Sequence, residues 1–309
     1  MKDATFWMPP QASTLAPDID FIFYFIYWVD VFFLVALMGA MLLFAIQYRQ
    51  KTASDKTHPT QGSHKLEFIW AFVPTLLSIA MFVLGFQAYV DSSVPPAESM
   101  DVRVSGQKWS WSYDYGNGVV TDVLKVPAGE NVRLTMSSRD VLHSFYVPDF
   151  RIKKDVIPNR YTVLWFNAPE PGEHQVYCTE YCGDAHSVML SKVEVMDPEA
   201  YASWMAYEEE SSKTLSGAAL GEKLFKQNCV ACHNVDGTKL VGPALNGLYG
   251  KSENLADGSS VQVDDNYLRE SITLPAAKIV AGYPPAMTPF AHLTDTEVDG
   301  LVDYLKGLE

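Results

Sequence analysis

Residues 178–189 read Cys178-Thr-Glu180-Tyr-Cys182-Gly-Asp-Ala-His186-Ser-Val-Met189. Two thiols, an imidazole and a thioether in one short loop make a soft donor set, and such a set suits copper. Structural zinc sites draw on four cysteines or histidines and have little use for methionine. A mononuclear blue-copper site needs one cysteine, two histidines and a weak axial methionine. The second cysteine here lets two thiolates bridge two copper ions. A further imidazole is available at His143, which the strand pattern puts at the end of an earlier strand.

Working outward, the flanking sequence alternates in polarity with a period of two. Examples are 109–115 (WSWSYDY), 132–136 (VRLTM) and 161–165 (YTVLW). Turn signals separate them at Gly116-Asn-Gly118, Pro127-Ala-Gly129 and Pro169-Glu-Pro-Gly172. Several short strands with regular turns predict a β-sandwich or barrel of about 100 residues, closed by a strand over 188–195. Residues 92–99 (SSVPPAES) read as the linker that precedes it. After it, Asp197-Pro198 predicts an N-cap and a first helical position, and that helix is expected to run into a polar linker over 208–216.

A second motif follows, Cys229-Val-Ala-Cys232-His233, and C-x-x-C-H reads as covalent c-type haem attachment. Cys229 and Cys232 would form the thioethers and His233 the proximal bond. Met287, in Pro284-Pro-Ala-Met287-Thr-Pro, is the only methionine after Met205 and would supply the sixth ligand; His292 is the competing candidate. Helices are predicted over 216–228, about 265–274, and from Thr294, where Thr294-Asp-Thr-Glu297 is a capping-box pattern. The two motifs use all four cysteines, which leaves none for a disulfide. His58, His64 and His174 read as loop or strand histidines.

Two apolar runs, 21–47 and 66–90, each exceed the roughly 20 residues that cross a bilayer. The first is too long for a cleaved signal peptide and lacks its basic flank. Arg49, Lys51, Lys56 and Lys65 lie between the runs, whereas Lys2 alone precedes them. The positive-inside bias then puts this loop in the cytoplasm and both termini outside. Of the net charge of −14, residues 91–207 hold 10 basic and 16 acidic groups and residues 208–309 hold 8 and 15. Such surfaces disfavour nucleic acid and suit either basic protein partners or plain solubility.

The Cys178–Met189 loop, with Val141-Leu-His143-Ser and Lys154-Asp155-Val-Ile-Pro158-Asn-Arg160 in order, resembles subunit II of the haem-copper cytochrome c oxidases. The resemblance extends through Tyr207 and implies two transmembrane helices followed by a cupredoxin-like Greek-key barrel. It further implies a binuclear copper A centre bridged by Cys178 and Cys182, with His143, His186, Met189 and the backbone carbonyl of Glu180. The Glu180 side chain resembles a ligand of a magnesium ion shared with subunit I. Trp109 resembles the residue that admits electrons to copper, with β-barrel packing as the bland alternative for its aromatic stretch. Glu67 resembles the glutamate at the mouth of a proton-uptake channel, although a carboxylate near a helix end can simply sit among headgroups. Residues 217–309 resemble an all-α class I cytochrome c domain, including Gly242-Pro-Ala-Leu245, with Met287 displaced by one residue from the commoner Met-Pro-Pro arrangement.

Together the halves resemble caa-type oxidases, whose subunit II carries its own cytochrome c. The expected organisation is a membrane hairpin over 1–90, a copper domain over 91–207, a linker over 208–216 and a haem domain over 217–309. The expected role is to pass electrons from an external donor, through haem c and copper A, to subunit I for oxygen reduction coupled to proton pumping. The expected setting is a bacterial inner or cytoplasmic membrane, beside lipid and the other oxidase subunits, with the copper and haem domains outside. The equivalent subunit of a copper A nitric oxide reductase is the alternative. A membrane-tethered copper-delivery protein fits less well, because delivery prefers exposed, exchangeable ligands.

Overall fold

The computed structural model describes residues 3–54, 56 and 61–308. Lys2 and His58 lie outside the described residues. Two helices come first, α1 (Ala16–Gln47) and α2 (His64–Ser93), and none of the most apolar window of either is buried. At 32 residues α1 is about 48 Å long, more than the hydrocarbon core of a bilayer. Large side chains such as Phe32, Leu42, Phe68 and Phe82 stand exposed along both, a surface suited to lipid or neighbouring chains and not to water. Helix α1 starts five residues before the predicted apolar run, with Pro17 in its first turn. That extra turn carries Asp20, whose carboxylate takes two hydrogen bonds from Arg151 at 2.7 and 2.9 Å. Arg151 also donates to the carbonyls of Pro9 and Pro10. Ser13, Ala12 and Thr14 bond the backbone at Phe150, Asp149 and Asn167. The N-terminal strap thus fastens the β-strand head onto the first helix.

The head holds ten strands: β1 (Met100–Gln107), β2 (Ser110–Asp114), β3 (Val120–Thr121), β4 (Leu124–Pro127), β5 (Asn131–Ser138), β6 (His143–Val147), β7 (Ile152–Val156), β8 (Thr162–Asn167), β9 (Gly172–Cys178) and β10 (Leu190–Met196). They form two five-stranded sheets, ordered β3-β2-β1-β5-β8 and β4-β10-β9-β6-β7. The period-two pattern is literal in β5, whose residues alternate strictly between half-buried and buried. Trp111, Tyr113, Phe145, Phe150 and Phe166 fill the space between the sheets. The last strand begins at Leu190, two residues later than expected, because His186–Val188 turn as a 3-10 helix. His143 opens its strand instead of ending one.

Helix α3 (Pro198–Thr214) runs through most of the expected linker. Its Glu-rich end is a good helix former and is pinned on both sides. Glu208 pairs with Lys223 at 2.8 Å, and Glu209 accepts a hydrogen bond from Asn117. Only Leu215 and Ser216 separate it from α4 (Gly217–Asn228). Asp197 holds the N-cap position of α3 without making a capping hydrogen bond.

The last module packs α4 against α6 (Asp295–Lys306), with α5 (Asp265–Thr273) beside them. Both bonds of the predicted capping box are made: Thr294 accepts from the Glu297 amide, and Glu297 accepts from the Thr294 amide. Helices α4 and α6 cross at Gly221 and Gly300, where a Cβ on Gly221 would sit 1.8 Å from the Gly300 carbonyl oxygen. The module is not wholly helical, since β11 (Ser252–Asn254) and β12 (Ser260–Gln262) form a small hairpin.

Candidate functional site

Strands β6 and β9 are antiparallel, as are β9 and β10, so the start of β6, the end of β9 and the start of β10 share one end of their sheet. That topology delivers His143, Cys178 and Met189 to one place, and the intervening loop adds Glu180, Cys182 and His186. Cys178 Sγ lies 3.9 Å from Cys182 Sγ, 3.9 Å from His143 Nδ1 and 3.3 Å from the Glu180 carbonyl. Cys182 Sγ lies 3.4 Å from His186 Nδ1 and 3.8 Å from Met189 Sδ. All six predicted donors therefore converge, and Cys178, Cys182, His143 and Met189 are buried. Two adjacent thiols, each with its own imidazole, fit a pair of soft metal ions better than one hard ion.

The electrostatics separate the two thiols. Burial opposes ionisation of Cys178, but contacts with His143, Ser144 and Glu180 outweigh it and bring the thiol down to about 6. Burial, with Cys178 as a neighbouring charge, pushes Cys182 up to about 12. Asp140, which sequence reasoning missed, accepts from His143 Nε2 at 2.8 Å on one oxygen and from the Lys108 amide at 2.8 Å on the other. Against the cost of burial, these bonds hold Asp140 below the usual carboxylate range. The ring is thereby oriented with Nδ1 toward the thiols, as a carboxylate behind a metal-binding histidine orients it. An Asp-x-x-His spacing was visible in the chain, but it is common in solvated loops.

Trp109, the first residue of the predicted strand, sits instead in the turn between β1 and β2, one residue before β2, and is 3% exposed. Its ring packs on the copper-type loop: a Cβ on Gly183 would meet Trp109 Cζ2 at 3.1 Å. On its other side the residue lines a cavity of about 170 Å³ in the C-terminal module. Cys229, Cys232, His233 and Met287 line the same cavity, and His292 does not. The Cys232 thiol lies against the Trp109 backbone.

His233 Nδ1 donates to the Pro243 carbonyl at 2.8 Å, which leaves Nε2 as the lone-pair nitrogen that iron requires. Burial holds this imidazole below its ordinary value, hence neutral. Thr288, which lines the cavity, has a buried Oγ1 with no partner among the described residues. Apolar walls, a paired-thiol edge, an oriented histidine and an orphaned hydroxyl fit a covalently held haem.

The remaining predicted residues lie apart. Glu67 is in the first turn of α2, where a carboxylate complements the helix dipole, and contacts His64 Nδ1 at 3.1 Å. His174 is a satisfied strand histidine, 2.9 Å from Asp149. The Glu180 side chain is half-buried beside the copper-type loop.

Residues 2–88, 119–196 and 218–309 match, respectively, the families described as cytochrome c oxidase subunit II transmembrane domain, cytochrome c oxidase subunit II periplasmic domain, and cytochrome c. Cytochrome c oxidase subunit 2 of Alkalihalophilus pseudofirmus is 30% identical over 303 residues, covering 91% of this chain and 85% of that protein. The subunit 2 of Bacillus sp. strain PS3 is 26% identical, covering 85% and 80%. The solved periplasmic domain of cytochrome oxidase subunit II from Bradyrhizobium japonicum is 28% identical, covers 38% of this chain and 99% of that one, and has a TM-score of 0.36. An identity of this level across nearly the whole length, with all three domains matched in order, means that the chain belongs to the cytochrome c oxidase subunit II family, as a member with a C-terminal cytochrome c domain.

Proposed function

We propose that this subunit receives electrons from an external donor at its own haem c and passes them to a binuclear copper centre and on to subunit I. Cys178, Cys182, His143, His186, Met189 and the Glu180 carbonyl would hold the copper pair. Cys229 and Cys232, with His233 and Met287, would hold the haem. Both groups, when bound, exchange single electrons. One observation carries the reading: Trp109 is at once a wall of the haem cavity and the packing partner of Gly183 in the copper loop. Lys108 joins it in that wall, so the copper domain closes the haem mouth. The short α3–α4 connection keeps the two sites at high effective concentration.

The membrane hairpin would hold the chain in a bacterial inner or cytoplasmic membrane, with the head and both termini on the outer face. Glu67 at the cytoplasmic end of α2 would serve proton uptake, and the Glu180 carboxylate would share a magnesium ion with subunit I. Proton pumping would belong to the assembled oxidase.

The test is made on the purified oxidase that contains this chain. A seven-line copper hyperfine pattern beside c-type haem bands is expected, and a four-line pattern would refute the shared pair. Trp109→Leu should slow haem-to-copper transfer while both spectra stay unchanged; an unchanged transfer rate removes the tryptophan bridge. Oxygen consumption without nitric oxide reduction separates the reading from its closest rival.

A further inference from the structure

The haem module touches the copper domain at a second point. Arg139 lies in the loop between β5 and β6, four residues before His143, and its amide bonds the Gly106 carbonyl at 2.9 Å. Its guanidinium Nη1 contacts Nε2 of His292, between Phe290 and the start of α6. We propose that Arg139 and His292 form a protonation-sensitive latch seating the haem module on the copper domain, so that Arg139 is a positioning residue for transfer between them. The consequence for electron flow rests on the haem-to-copper reading above; the latch itself rests on geometry.

A guanidinium has donors and no acceptor. The contact with Nε2 therefore exists only while that nitrogen keeps its lone pair, with His292 neutral. Protonation turns the pair into two donors and two cations, and the attraction into repulsion. Both residues stand at the solvent-exposed rim of the interface, so protons reach His292 directly. The other charges facing the pair are Glu297 in the first turn of α6 and Asp114 at the end of β2, with Asp140 next along the chain. Glu297 favours the protonated imidazole, but its carboxylate is committed to the Thr294 capping box. Burial and then Arg139 hold His292 below its ordinary value, and burial likewise lowers Arg139.

The sign follows from these directions. The seated state binds the His292 proton more weakly than the unseated state. Seating is at full strength above the ordinary histidine value of 6.5 and weakens as pH falls below it. One proton changes the seating equilibrium by at most about tenfold per pH unit. An acid outer face would then slow electron delivery. On the other side of the interface, the Lys223–Glu208 pair and the bond from Gln227 to the Val120 carbonyl join α4 to α3 and β3 without a histidine, and act as the fixed hinge.

The experiment uses the intact oxidase with wild-type chain, His292→Gln and Arg139→Gln. Glutamine at 292 can still accept from Arg139 and does not titrate. Hydrogen exchange of segments 106–111 and 286–293 is compared between chains at pH 5.5 and at pH 7.5, with internal haem-to-copper transfer measured in parallel. The expected result is that wild type loses protection at pH 5.5 relative to His292→Gln and matches it at pH 7.5. Arg139→Gln, whose amide tolerates protonated His292, should lack the acid-induced loss. Equal protection in wild type and His292→Gln at pH 5.5 overturns the latch, as does an acid loss undiminished in Arg139→Gln. Altered protection with an unchanged transfer rate keeps the latch and removes the haem-to-copper route instead.

Discussion

Gly242→Ala tests the haem site at the point where the fold leaves least room. A Cβ at position 242 would lie 2.4 Å from His233 Cε1 and 2.8 Å from Nδ1. Ordinary carbon contacts start near 3.5 Å, so the ring must retreat by about 1 Å. Displacement of that size breaks the 2.8 Å bond from Nδ1 to the Pro243 carbonyl. The loss of that bond costs about 1–3 kcal/mol, and crowding a packed wall adds about 1–3 kcal/mol. Taking about 2–6 kcal/mol as the sum, the population with a correctly oriented proximal histidine falls by about 30-fold to about 20,000-fold. The thioethers to Cys229 and Cys232 would still hold the porphyrin, so haem content alone misses the effect. The assay is the optical spectrum and midpoint potential of haem c in the purified oxidase, with haemochrome quantitation as the loading control. Loss of the low-spin spectrum at normal loading is expected. A wild-type spectrum and potential in the alanine variant would refute the assignment of His233 and its carbonyl partner.

Two further perturbations address the copper loop and the module's frame. Asp140→Asn keeps the shape but leaves one acceptor oxygen where two serve His143, Val141 and Lys108; copper affinity should fall about 10–100-fold, read by chelator competition. Gly221→Ala drives a methyl to 1.8 Å from the Gly300 carbonyl, which no rotamer relieves, so the haem module should lose at least about 3 kcal/mol in thermal or denaturant unfolding. Gly258→Ala, with nothing within 4 Å but a φ of +86°, should cost only about 1–2 kcal/mol and serves as the control.

What the chain spells out is what short spacings carry. The donors of the copper loop lie within twelve residues, Cys229-x-x-Cys232-His233 within five, and the capping box at Thr294 within four. Each declares its chemistry before any tertiary contact forms. The two apolar runs declare theirs by length, and the alternating strands by their period. The tertiary structure alone decided which distant residues meet. Asp140 becomes the support of His143 because the β1–β2 turn presents the Lys108 amide to its other oxygen. Arg139 reaches His292 across 153 residues, and Arg151 reaches Asp20 across 131, distances over which no local pattern operates. The sequence reads 208–216 as a polar linker, where α3 in fact runs on to Thr214, because a Glu-rich run looks the same in solution as on a surface; the pairing of Glu208 with Lys223 distinguishes them. Local spacing sets which atoms can hold a metal or a haem, and long-range packing sets which two sites share a tryptophan.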